Sequence, residues 1–172
     1  MKMRLLCASG LLLATGSSTA ATKVLQAFEG DGYGDWKIEG SAFGLAPTGG
    51  KMDGLNGELT GYSQESLACS AHGGDAATGS LTSPAFKVTE NYICFLIAGG
   101  KHPGKTAVQL LLDGKVVREA TGENTLQCKT QVWDVTEFKG KNVQIRLLDE
   151  ATGSWGIIAA DHFLMTDYAN QK

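Results

Sequence analysis

Apolar residues in this chain fall at alternate positions or in short continuous runs, and glycines cut the runs apart. The stretches YICFLIA (92–98), TAVQLLL (106–112) and VQIRLLD (143–149) are typical. Alternation, β-branched content and runs of about four to eight residues between turn residues are strand signals. The pattern predicts strands at 24–28, 36–43, 67–71, 85–88, 92–98, 106–112, 115–120, 131–135, 143–149 and 157–165. No segment carries an apolar stripe of helical period over three turns, so no substantial helix is predicted. Asp113-Gly114, between two apolar runs, predicts a tight hairpin. Many short strands with glycine-rich turns predict an all-β fold, a jelly-roll-like antiparallel β-sandwich.

One motif argues otherwise. Gly99–Thr106 reads GGKHPGKT and fits G-x-x-x-x-G-K-[ST], the pattern of a phosphate-cradling loop. Such a loop must open a helix, whose N-terminal amides hold the phosphates. Here only 107–112 intervene before the Asp113-Gly114 turn, and their pattern is that of a strand. The segment is read as a polar loop at one end of the sheets, with no nucleotide as partner.

The first residues are MKMRLLCASGLLLATGSSTA: two cations, an apolar run, then small residues. That is the order of a secretory signal peptide, and the run is short for a bilayer span. The expected organisation is a signal peptide at 1–20 and one β-sandwich domain at 21–172, secreted or periplasmic, with no membrane contact after cleavage. Cleavage would remove Lys2 and Arg4 and move the formal charge from −3 to −5. An acidic chain without a basic stripe excludes nucleic acid as the expected partner. Cys69, Cys94 and Cys128 would remain, an odd number without C-x-x-C spacing, which gives no support to zinc or thioredoxin-type chemistry.

Several blocks together carry a resemblance: FEGDGYGDWKIEGSAFG (28–44), HGGDAATGSLTSPAF (72–86), NYICFLIAGGKHPGKT (91–106), LLLDGKVVREATG (110–122), VWDVTEFKGK (132–141) and DEATGSWGIIAADH (149–162). In this order they resemble an accessory β-sandwich attached to family 32 glycoside hydrolases, the levanase and invertase group. The domain is similar to the levan-binding carbohydrate-binding modules of that group. The resemblance implies binding of a polysaccharide or oligosaccharide, fructan of the levan type first, without hydrolysis. The enzymes' catalytic blocks, of the kind W-M-N-D-P-N-G, R-D-P and E-C, do not occur in this chain.

The chain departs from that pattern at three places. Cys69-Ser70-Ala71 stands where N-S-F is expected, Cys94 replaces the asparagine of Y-I-N-F-L-I, and Ile157 replaces the histidine of G-W-G-H-I. If those polar side chains belong to the family's sugar site, part of it is lost here. Two asparagines both becoming cysteine also suggests a Cys69–Cys94 disulfide, provided the two face each other across neighbouring strands. A start of the F-E-x-G kind and a final D-x-apolar strand resemble jelly-roll sugar-binding domains that hold a structural Ca²⁺. The corresponding acids are Glu29, Asp31 and Asp161, and calcium asks for about six to eight oxygens. The alternative is that these carboxylates accept backbone amides at the sandwich edge.

A sugar site needs an aromatic face for the ring's C–H side and polar groups for its hydroxyls. Trp155, flanked by glycines in ATGSWG, is either that platform or a plug in the sandwich end. Trp36 and Trp133 lie in strand contexts and read as core. Asp75 in HGGDAATG either accepts sugar hydroxyls or closes its own turn. His72 and His102 are loop histidines, either ligand contacts or solvated. The fork of Arg118 suits two adjacent hydroxyls or a carboxylate such as Glu119 or Asp149. The expected ligand set is therefore Asp75, His102, Arg118, Trp155 and His72. Two other functions stay open: a structural or adhesion sandwich that has lost its sugar site, and a small β-sandwich hydrolase. The first requires these side chains scattered, and the second requires a deep pocket with a strongly shifted acid or histidine.

Overall fold

A computed structural model describes residues 22–169. The expected signal peptide at 1–20 lies outside the described residues. Eleven strands run β1 (Thr22–Gln26), β2 (Lys37–Gly40), β3 (Ala68–Cys69), β4 (Gly79–Thr82), β5 (Phe86–Lys87), β6 (Tyr92–Gly99), β7 (Thr106–Leu112), β8 (Lys115–Ala120), β9 (Thr125–Asp134), β10 (Asn142–Asp149) and β11 (Ile158–Thr166). The helical content is two short 3-10 turns, Ala71–Ala76 and Thr136–Phe138. The first sheet has the order β1-β11-β6-β9, with β3 also on β11. The second has the order β2-β4-β10-β7-β8, with β5 also on β10. All pairings between these strands are antiparallel. The first and last strands lie together, Thr22 opposite Thr166.

The jelly-roll-like sandwich of the sequence reading is the fold. The hairpin at Asp113-Gly114 forms with φ of +50° and +74°, the left-handed pair its turn type requires. A strand, β7, follows the GGKHPGKT loop, so the helix N-terminus of a phosphate loop is not built. β4 was not legible: GSLT offers one apolar residue, Leu81, among small polar ones. β9 starts earlier than expected because an edge strand tolerates Gln127, Lys129 and Thr130 exposed to water.

Alternation sorts the apolar side chains into two cores. Between the sheets lie Phe28, Trp36, Phe95, Trp133 and Phe163, with Leu81, Leu110, Ile145 and Leu147 from the second sheet. Phe95 stacks on Phe163 at 4.9 Å, and Trp133 meets Phe95 edge-on at 4.7 Å. Trp36 and Trp133 are thus core residues, as their contexts implied. The opposite face of the first sheet is also apolar: Cys69, Ala98, Cys128 and Ala159 face outward. Water would meet that face if nothing covered it. The long irregular segment between β2 and β3 crosses it, burying Leu59 and Leu67 against it. Backbone bonds fix the crossing, with Thr60 N–H donating to Leu126 O at 3.0 Å and Cys128 N–H to Thr60 O at 2.8 Å.

The expected Cys69–Cys94 disulfide is not formed. Cys69 on β3 pairs with Ala159 and Cys94 on β6 with Leu164, so β11 runs between the two cysteines. Cys69, Cys94 and Cys128 are free and buried. Burial pushes the Cys69 and Cys128 thiols up to about 12, so both stay protonated at neutral pH, and it raises the Cys94 thiol as well. Denatured without reductant, the domain is expected to titrate as three thiols. A count of one would contradict this packing.

Candidate functional site

One end of the sandwich gathers four loops. The loop after β10 carries Trp155, the 3-10 turn after β3 carries Asp75, the β6–β7 loop carries His102, and the covering segment brings Gly54–Asn56. Gly153 N–H donates to Asp75 O at 2.9 Å, tying the first two loops together. A ring nitrogen of His102, Nε2, lies 3.2 Å from Ser154 O, which braces the Trp155 loop from the other side. Two close approaches make this junction: a Cβ on Gly100 would sit 2.0 Å from Trp155 O, and one on Gly156 2.7 Å from Asp75 O. Neither position admits a side chain without moving backbone.

Trp155 itself has φ +61°. A bulky residue in the left-handed region costs on the order of 1 kcal/mol and is held there by its surroundings. Its ring is half-buried and lines a cavity of about 210 Å³ with Asp75, Asn56, Ser154, Leu55 and Leu126. That volume is below the roughly 300 Å³ of a drug-sized pocket, and suits one ring-sized group. The chemistry on offer is an aromatic face, a carboxylate, an amide and a hydroxyl around an apolar floor.

Of the five expected ligand residues, Trp155 and Asp75 share this cavity, and His102 stands behind it as a brace. Arg118 does not reach it. Its Nη1 donates to Val117 O at 2.8 Å, its Nη2 to Asp134 O at 3.2 Å and to the Glu137 carboxylate, and its guanidinium lies 5.0 Å over the Phe138 ring. It joins the two sheets at another edge, so the ion-pair alternative holds with Glu137 as partner. His72 also stays out: its N–H donates to Ala42 O at 3.0 Å and its ring packs on Gly44. Asn56 was missed, because KMDGLNG carries no signal separating it from other polar loops. Ser154 adjoins Trp155 in the same quoted block and was within reach.

Of the acids expected at a calcium site, two accept backbone amides. Glu29 accepts the Glu65 and Ser66 amides at 3.2 and 3.5 Å. Asp161 is fully buried and accepts the Ser63 amide at 2.7 Å and that of His162 at 2.6 Å. Asp31 is exposed. Among the described residues no group of three acids, histidines or cysteines converges. Glu29 and Asp161 fasten the covering segment to the sheet, as the alternative reading of these acids expected.

A second buried acid lies beneath the site. Asp149, at the end of β10, is fully buried; its Oδ1 accepts the Ala151 amide at 3.3 Å and its Oδ2 has no partner among the described residues. Burial pushes its carboxyl up to about 6, opposed by the Ser70 hydroxyl and the Ala151 amide; the nearby Asp75 raises it further and His102 lowers it. Burial, helped by the charge of Glu29, likewise pushes Asp161 up to about 6.

The fold is that of a two-sheet antiparallel β-sandwich domain with one loop-built end. No family model matches the chain. It is 34% identical over 155 residues to ecdE of Aspergillus rugulosus, a protein named as a glycosyl hydrolase; the match takes in 88% of this chain and 22% of that protein. The chain thus spans about a fifth of the length of this curated relative. Among solved structures it is similar to TmCBM61 in complex with β-1,4-galactotriose (TM-score 0.51, 15% identity, 81% of this chain and 93% of that one). It is similar also to the K2 cleaved adhesin domain of Lys-gingipain (TM-score 0.52, 15% identity, 84% and 98%). At such identities the likeness is one of fold.

The two buried acids set a pH dependence. Both carboxyls rise from 3.8 to about 6 on folding, so the folded state holds more protons than the unfolded chain between those values. Stability is therefore expected to increase as pH falls from about 6.5 to about 5, by on the order of 1 kcal/mol per pH unit for each group as the pH drops through its folded value. Thermal midpoints measured across that range should rise toward acid; a flat or falling profile would contradict the burial described.

Proposed function

We propose that this chain is a secreted, non-catalytic carbohydrate-binding domain that seats a sugar residue at the Trp155 end, with fructan of the levan type as the first ligand class. The observation that carries the reading is Trp155, held half-exposed in a left-handed backbone beside the Asp75 carboxylate in a ring-sized cavity. A hydrophobic plug would need neither the strained backbone nor a carboxylate, an amide and a hydroxyl around its ring. Binding is favoured over hydrolysis because the cavity is lined by one carboxylate, whereas a glycosidase uses a facing pair. Asp149, the shifted acid nearby, is fully buried and not open to a substrate. The likeness to part of a glycosyl hydrolase-named protein fits an accessory domain. The levan preference rests on the sequence resemblance alone, and export rests on the order of residues 1–20.

A scaffold or adhesion role is the second reading, and one observation favours it. Cys69, Cys94 and Ile157, the three departures from the family pattern, are all buried, two of them in the core under the covering segment. At Cys69 and Cys94 the polar side chains expected from the resemblance have given way to packing, and Ile157 puts an apolar wall in the Trp155 cavity where a histidine was expected. The Trp155 end does not use Cys69 or Cys94, which is why it is preferred as the site.

Calorimetric titration with levan, inulin and a panel of other polysaccharides decides between the readings. Saturable binding is expected, weakened at least ~10-fold, or about 1.4 kcal/mol, by Trp155→Ala. Arg118→Ala is expected to leave affinity unchanged, because its partners lie at another edge. A folded domain that binds no glycan would reject the proposal and leave the scaffold role.

A further inference from the structure

The outer face of the second sheet carries a row of polar side chains in strict register. Glu119 on β8 stands opposite Gln109 on β7, Gln109 opposite Arg146 on β10, Arg146 opposite Thr82 on β4, and Thr82 opposite Lys37 on β2. The first three are joined. Gln109 Nε2 donates to Glu119 Oε2 at 2.7 Å, and Gln109 Oε1 accepts Arg146 Nε at 2.9 Å and Nη2 at 2.6 Å. Glu119 is anchored in turn by the Gly104 amide at 3.0 Å. Gln109 is only 3% exposed, so this chain of bonds is rigid in a way that long side chains on a solvated face are not.

What the row holds in place is the Arg146 guanidinium. It lines an open groove of about 320 Å³ between Glu39 and Glu150, with Gly40 and Gly79 adding no side chain and Leu148 the one apolar spot. Among the described residues its Nη1 makes no hydrogen bond. Glu39 feels its charge but does not close on it, pairing instead with Lys37 at 2.8 Å. An oriented guanidinium and two carboxylates thus share a groove without neutralising each other. With Lys37 paired to Glu39, the charges of Arg146, Lys37, Glu39 and Glu150 sum to zero, which disfavours an anion, and a single leucine disfavours an apolar ligand. Vicinal hydroxyls accept from the guanidinium and donate to a carboxylate, which suits Arg146 beside Glu150 and leaves the Lys37–Glu39 pair in place.

The geometry points to a second ligand site on this face, a groove for a neutral, hydroxyl-rich oligosaccharide centred on Arg146, with Gln109 as its positioning residue. It is separate from the Trp155 seat and does not require that seat to be occupied.

Chemical-shift mapping on the ¹⁵N-labelled full chain tests it, with β-1,4-galactotriose and short levan, inulin and xylan oligosaccharides as probes. In the wild type, amides around 79–80 and 146–148 should shift with at least one probe. Those shifts should persist in Trp155→Ala, vanish in Arg146→Ala, and weaken at least ~5-fold in affinity in Gln109→Leu, which keeps the charge and removes its anchor. Should Arg146→Ala not fold, Arg146→Lys poses the same question, with weakening expected. Shifts confined to the Trp155 end, and lost with Trp155→Ala, would overturn the second site and leave the first standing. Shifts at 146–148 without any at 153–157 would do the reverse. No shift with any probe would overturn both.

Discussion

Cys69, Ala159 and Ala98 stand side by side across three strands of the first sheet, pointing away from the main core, with Cys128 beside them. A sandwich sheet ordinarily gives its outer face to water, and here one end of that face is too apolar to do so. The segment between β2 and β3 covers it, and most of what is distinctive about the domain follows. The covering brings Leu59 and Leu67 into a second core and hangs Gly54–Asn56 over the sandwich end. It also requires fasteners, which Asp161 and Glu29 provide by accepting backbone amides. The burial of Asp161 is thus a consequence of the covering, and so is its raised carboxyl.

The site inherits its shape from the same arrangement. Its walls are loops, but the loops are not free to move independently. Gly100 and Gly156 let three backbones approach to distances that exclude any side chain, and Trp155 sits half-buried among them with a left-handed backbone. If a ligand sits here as proposed, a loop cluster tied this way would lose little freedom on binding, the condition under which few contacts suffice.

Much of the fold was legible because alternation and turn chemistry are local. The runs at 92–98, 106–112 and 143–149 and the Asp113-Gly114 hairpin needed no tertiary information. β4 was hidden because its strand character comes from pairing with β2 and β10 and not from its own residues. At the site, Trp155 and Asp75 were legible as chemistry in glycine-rich loops. Arg118 misled because a strand-end arginine looks the same in sequence whether it meets a ligand or, as here, Glu137. The disulfide was a pairing inferred from parallel replacements, and only the strand order reveals β11 between the two cysteines. Arg146 was invisible for the converse reason: its significance lies in register with Gln109 and Glu119, a property of three strands together.

The central claim, that Trp155 is the ring on which a sugar sits, is open to one direct observation. Trp36 and Trp133 are 8% and 4% exposed, so collisional quenching by acrylamide reports mainly on Trp155. Titration of levan oligosaccharides or β-1,4-galactotriose into the domain should shift the emission and protect that accessible fraction from the quencher. Unchanged quenching, with a glycan shown by calorimetry to be bound, would place the ligand elsewhere and contradict the account.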